Sequence, residues 1–182
     1  MEICMTIRLT RKKRGYTLDH LADLTGLSKG YLSKIERAKE PPPFSTLETI
    51  AKALDEDMTL FFKTVEQRDL PHNIDVMKVK DTRLIKAEGG YDYRPLVNSF
   101  KNKAMSPLLM EVAQGSTKRL KHDGEEFVYV VRGKVELLYE NETHALTAGD
   151  SFYLDSRIRH CFTNHGPRKA VLLAVHFQYR RF

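Results

Sequence analysis

Cysteine is scarce in this 182-residue chain, which carries only Cys4 and Cys161. So few thiols, so far apart, rule out a disulfide framework, and two reduced thiols in a cytosolic protein are the expectation. No apolar run approaches the roughly 18 residues that a membrane-spanning helix needs, so no membrane association is expected. No leader is expected either, because Arg8, Arg11, Lys12, Lys13 and Arg14 interrupt any apolar stretch after Met1. Acidic residues are outnumbered: 24 Asp and Glu against 30 Lys and Arg leave a formal charge of +6. That balance suits a polyanionic partner without proving one.

What is present begins with helical periodicity. Ile3, Ile7 and Thr10 recur on one face of a first helix, residues 3–14, with Arg8, Arg11 and Lys12 placed outward for phosphate contact. Gly15 ends it. Thr17 is a natural N-cap for a second helix, in which Leu18, Leu21, Ala22 and Leu24 make the apolar stripe. Gly26 stops that helix, Leu27 plugs the corner, and Ser28 caps a third helix whose Leu32 and Ile35 face inward. Lys29, Ser33, Lys34 and Arg37 are left outside. Pro41, Pro42 and Pro43 break the pattern. Ser45 then caps a fourth helix, Thr46–Leu54, and Asp57 a short fifth ending at Phe62. Two short helices about a tight corner with a basic outer face form the layout of a DNA-reading helix-turn-helix.

Residues 3–62 resemble the XRE-type helix-turn-helix domain of phage repressors and many bacterial regulators. The resemblance rests on Leu18, Leu21 and Ala22, on Thr25-Gly26-Leu27-Ser28, on Tyr31-Leu32-Ser33 and Ile35-Glu36-Arg37, and on Leu47, Ile50, Ala51, Ala53 and Leu54. It implies that Lys29, Tyr31, Ser33 and Lys34 face bases and Arg37 a phosphate, with Thr17 and Ser28 completing the DNA-facing set. Gly30 departs from it, offering no side chain where a hydrogen-bonding one is common.

Residues 66–75 read as a polar linker, after a helical domain at 1–65. From Val76 to the end, at 182, the period becomes two. Val76–Val79, Leu84-Ile85, Tyr91–Tyr93, Leu108–Val112, Phe127–Val131, Val135–Tyr139, His144–Leu146, Ser151–Leu154, His160–Phe162 and Ala170–Val175 are short β-rich runs separated by turn residues. Such spacing signals a sandwich or barrel. Within it, residues 115–133 and 149–164 resemble the two motifs of the cupin jelly roll. The chain is therefore expected to be multidomain α + β, a five-helix lambda-repressor-like domain followed by a cupin barrel.

By that resemblance His122 and Glu126 from one hairpin and His160 from a facing one meet near the barrel axis. Two imidazoles and a carboxylate suit Fe(II) and tolerate Zn²⁺, Mn²⁺ or Ni²⁺. Full cupins carry another histidine two residues before position 122, where this chain has Leu120. A metal-free pocket, with His122 and His160 as hydrogen-bonding residues, is the alternative. Tyr91 and Tyr93 alternate onto one face and could offer hydroxyls to a small-molecule effector. His20, His72, His144, His165 and His176 lack motif context and read as surface or packing residues.

Two functions from different classes fit. An XRE-type domain joined to a cupin resembles a transcriptional regulator that senses a small-molecule effector and binds double-stranded DNA as a homodimer, since one recognition helix reads few base pairs. The pattern His-x-x-x-Glu followed by a distant His also resembles mononuclear iron oxygenases of the hydroxypropylphosphonate epoxidase type. That enzyme type has a substrate-binding lysine at the start of its second helix, where this chain has Thr17, and the basic face of Lys29, Lys34 and Arg37 exceeds what an enzyme needs. The regulator is the favoured reading.

Overall fold

The computed structural model describes residues 3–62, 74–98, 100 and 103–177. Among the described residues five helices, α1 (Ile3–Lys13), α2 (Leu18–Thr25), α3 (Lys29–Arg37), α4 (Phe44–Ala53) and α5 (Thr59–Phe62), precede nine strands. These are β1 (Tyr91–Pro95), β2 (Met105–Val112), β3 (Gly115–Ser116), β4 (Glu125–Arg132), β5 (Lys134–Tyr139), β6 (Glu142–Thr147), β7 (Ser151–Asp155), β8 (His160–Asn164) and β9 (Ala170–Phe177). The chain separates into two compact units, Met1–Asp75 with Asn98–Asn102, and Val76–Val97 with Lys103–Phe182. The expected linker, 66–75, lies outside the described residues apart from Ile74 and Asp75. No helix among the described residues is long and apolar enough to cross a membrane.

Capping chemistry starts the two central helices. Thr17 Oγ1 accepts the His20 N–H at 3.0 Å, and Ser28 Oγ accepts the Tyr31 N–H at 3.2 Å. Gly26 closes α2 at φ 68°, its N–H bonded to the Ala22 carbonyl, a conformation that most side chains resist. Ile3, Ile7, Leu21, Leu32, Ile35, Leu47, Ile50 and Leu54 form the core.

Three expectations fail here for local reasons. Leu24 is exposed, because an eight-residue helix turns it past the face that Leu21 buries. α4 begins at Phe44 after Pro43, with no side-chain cap; proline's fixed φ suits a helix start, so Ser45 lies inside the helix, buried, its carbonyl accepting from Thr49 Oγ1 at 3.0 Å. Arg11 does not face outward. It follows Ile3 and Ile7 at spacing four, on the buried stripe, and its guanidinium pairs with Glu36 of α3 through Nε–Oε1 at 2.6 Å and Nη2–Oε2 at 2.9 Å. Nη1 donates to the Tyr16 carbonyl at 2.6 Å. A forked pair of this kind fixes both distance and angle between two helices.

The β unit consists of a five-stranded sheet, ordered β1-β2-β9-β4-β7, and a four-stranded sheet, ordered β3-β8-β5-β6. All pairings are antiparallel. The sheets approach through β2 with β8 and β4 with β6. Alternation is strict in β9, where Ala170, Leu172, Ala174 and His176 are buried and the residues between them are half-buried. The strand expected at Val76–Val79 is absent. Val76 and Val79 are exposed, Val79–Asp81 makes a single 3₁₀ turn, and Ile85 forms one isolated bridge to Tyr93. With no neighbouring strand to bond, β-propensity alone does not make a ladder.

Two stability measurements test this packing. Arg11→Ala leaves the Glu36 carboxylate buried and unpaired and is expected to cost about 3–5 kcal/mol in urea unfolding of the helical unit. Gly30 lies on α3 with nothing within 4 Å of where a Cβ would stand. Gly30→Ala should therefore stabilise by about 0.5–1 kcal/mol, read from the same melts.

Candidate functional site

On the helical unit, the outer face of α3 carries Lys34 and Arg37, both exposed, while Leu32, Ile35 and Glu36 of the same helix are buried. Tyr31 and Ser33 are half-buried. Lys29 Nζ pairs with Asp19 Oδ2 at 2.8 Å in an exposed contact, which a phosphate could displace because such pairs contribute little. Arg37 Nε donates to the Ser33 carbonyl at 3.1 Å. The Thr17 and Ser28 hydroxyls are occupied as cap acceptors, holding the starts of α2 and α3. They also orient the first backbone N–H groups, which favour an anion.

In the β unit, Glu126 occupies an inward position of β4 and is 2% exposed. Its cross-strand partners are Leu154 on β7 and His176 on β9, and His176 in turn pairs with Ser106 on β2. Glu126, His176 and Ser106 are therefore a buried polar row across three adjacent strands. His160 opens β8 of the other sheet and is 1% exposed. His122 belongs to the connection entering β4, where its N–H is held by the Ser156 carbonyl at 2.9 Å. Thus His122, Glu126 and His160 come together. His122 Nε2 and His160 Nε2 lie 3.7 and 3.6 Å from Glu126 Oε2. Leu120, at the departed histidine position, is buried and exchanges both backbone hydrogen bonds with His160.

His176 is the correction. It is not a surface residue: it is 4% exposed and its Nε2 is 3.2 Å from Glu126 Oε1. Its neighbours could have revealed it, because Ala170, Leu172 and Ala174 set an inward register that continues to 176. His20, His144 and His165 are exposed, and His72 lies outside the described residues. Tyr91 and Tyr93 are both buried with rings 6.3 Å apart. Tyr93 pairs with Met110, Met110 with Leu172, and Leu172 with Val130. That register sets Tyr93 four residues, about 13 Å, along the strands from the level of Glu126.

The donor set fits a divalent cation. His160 Nδ1 is 2.9 Å from the Ile158 carbonyl, which can only accept, so Nδ1 is the donor and Nε2 is the nitrogen turned towards Glu126. His160 Nε2 and Glu126 Oε2 are buried without hydrogen-bond partners. Donors about 2.1 Å from one ion and about 90–110° apart stand about 3.0–3.5 Å from each other, a little under the 3.7 and 3.6 Å between the carboxylate and the His122 and His160 nitrogens. Burial works to raise the Glu126 pKa, but His176, His122 and His160 outweigh it and hold the carboxyl at about 2. The group is an anion throughout the ordinary pH range.

Comparison with known proteins places these two sites in context. Residues 7–61 match the helix-turn-helix family model and residues 108–176 the cupin domain model. The chain is 27% identical over 168 residues to the HTH-type transcriptional regulator PuuR of Escherichia coli strain K12, covering 91% of this chain and 89% of that one. Among solved structures, a helix-turn-helix family transcriptional regulator from Vibrio cholerae superposes with a TM-score of 0.65 at 22% identity, covering 98% of this chain and 96% of that one. Hydroxypropylphosphonic acid epoxidase from S. wedmorenis shares the fold at a TM-score of 0.53 and 20% identity, covering 96% of each chain. The sequence relatives matched along most of their length are named as regulators, not as enzymes. With a helix-turn-helix ahead of a cupin domain and regulators matched across nearly its whole length, the chain belongs to the XRE-type helix-turn-helix transcriptional regulators that carry a C-terminal cupin domain.

Proposed function

We propose that this regulator reads duplex DNA as a homodimer through α3, and that its cupin pocket takes a small-molecule effector beside a divalent metal held by His122, Glu126 and His160. The observation that carries the DNA reading is the division of α3 into a buried face of Leu32, Ile35 and Glu36 and an exposed face bearing Lys34 and Arg37. Lys29, Tyr31, Ser33 and Lys34 would meet base edges, Arg37 a phosphate, and Thr17 and Ser28 the backbone near the helix starts. A second copy of the chain has an apolar surface to use: Phe127, Tyr129 and Val131 on the outer face of β4 and Tyr153 on β7 are all exposed, and Phe127 pairs directly with Tyr153. Domains at 1–65 and 76–182 joined by a linker at 66–75 give each function its own body, working in the cytoplasm where DNA is reached.

Buried donors lacking hydrogen-bond partners support the metal. Fe(II), Zn²⁺, Mn²⁺ and Ni²⁺ all accept imidazole and carboxylate ligands, and the ion would supply a Lewis-acidic anchor for a polar effector. Tyr91 and Tyr93 would offer their hydroxyls to the effector from further along the strands. The effector must bind the DNA-competent and DNA-incompetent forms unequally, since equal affinity shifts nothing.

Selection from random duplexes at physiological salt should enrich a two-fold symmetric motif, and failure to enrich any motif overturns the DNA reading. Lys34→Ala should cost about 1–3 kcal/mol on the selected site if Lys34 reads a guanine edge. Arg37→Ala should weaken all sequences alike and lower the salt slope by about one unit. For the pocket, elemental analysis of protein purified without chelator should find about one first-row metal per chain, and His160→Ala should lose it.

A further inference from the structure

The polar row across β4, β9 and β2 contains a donor outside both cupin motifs. We propose that His176 is a direct metal ligand, completing with His122, Glu126 and His160 a set of three imidazoles and one carboxylate. The inference rests on the metal reading above and goes beyond its three-residue site.

Register is the first argument. Glu126 and His176 are opposed on adjacent antiparallel strands, so both side chains rise from the same face of one sheet, within reach of a shared ion. Both are at least nine-tenths buried, as is His160. The second argument is distance. His122, Glu126 and His176 can each offer one ligand atom within 4.8 Å of the other two. The third is the arrangement of the rings. An imidazole coordinating through Nε2 at about 2.1 Å has its centroid about 3.2 Å from the ion, so two such rings about 90–120° apart have centroids about 4.5–5.5 Å apart. The His122 and His176 centroids are 4.9 Å apart and those of His122 and His160 are 5.5 Å apart.

A chemical consequence follows for Leu120. The histidine missing from that position is made good from β9, a strand that neither motif covers. Four protein donors hold an ion without help from an effector. They leave two positions of an octahedral site for water or a small ligand, one fewer than a facial triad leaves.

The rival role for His176 is a hydrogen bond to Glu126 Oε1 alone, which orients the carboxylate but leaves two imidazoles on the ion. Counting imidazoles separates the two roles. The full-length protein, stripped of metal and given one equivalent of Cu²⁺, should show three coordinated imidazoles by pulsed electron paramagnetic resonance. His176→Gln should show two and bind Cu²⁺ about 100-fold more weakly or worse, since loss of an outer-shell partner alone typically costs 10–100-fold. Two imidazoles in the unaltered protein, or the same number in both proteins, overturns the inference and leaves the metal reading standing. Failure of the unaltered protein to bind one Cu²⁺ overturns both. The count on the unaltered protein stands whether or not the variant folds.

Discussion

A carboxylate placed between two β-sheets, away from water, cannot remain charged unless something close by compensates it. Glu126 is in that position, 2% exposed on an inward register of β4. Three imidazoles surround it, delivered by three separate parts of the chain. His122 arrives on the connection into β4, His160 on the first residue of β8, and His176 on β9. The strand order brings β9 between β2 and β4, so the last strand supplies the neighbour of the fourth. Remove the compensation and the pocket becomes an isolated buried charge.

The helical unit solves a similar problem with a different outcome. Arg11 and Glu36 are both inward-facing charges, and they satisfy each other through two hydrogen bonds while Arg11 also holds the Tyr16 carbonyl. Their geometry joins α1 to α3, the helix whose outer face carries Lys34 and Arg37. The pair is buried in the framework that holds α3 in place. The two units therefore differ in how they use buried charge: the helical one closes its charge pair off, while the β one surrounds its carboxylate with three imidazoles.

Much of the chain is legible in its sequence. Thr17, Gly26 and Ser28 are capping residues whose chemistry is local, so the boundaries of α2 and α3 followed from a few neighbouring residues. The change from a period near 3.6 to a period of two marked where helices give way to strands. His122, Glu126 and His160 were accessible through their resemblance to cupin motifs. Local signals failed where a partner was needed to decide. Val76–Val79 had strand composition but no strand to pair with, and Leu24 had an apolar side chain but no surface to cover.

By itself, then, the sequence determined most element types, the helix-turn-helix corner, the basic face of α3 and the order of helices before strands, because each depends on residues close together along the chain. Only the tertiary structure decided that Arg11 points inward to Glu36, 25 residues away, and that His176 stands 3.2 Å from Glu126. Both are contacts between elements distant in sequence, and no period or spacing encodes which distant residue will oppose which. Strand register does encode it. Once β9 lies beside β4, the two-residue alternation that begins at Ala170 carries His176 to the carboxylate.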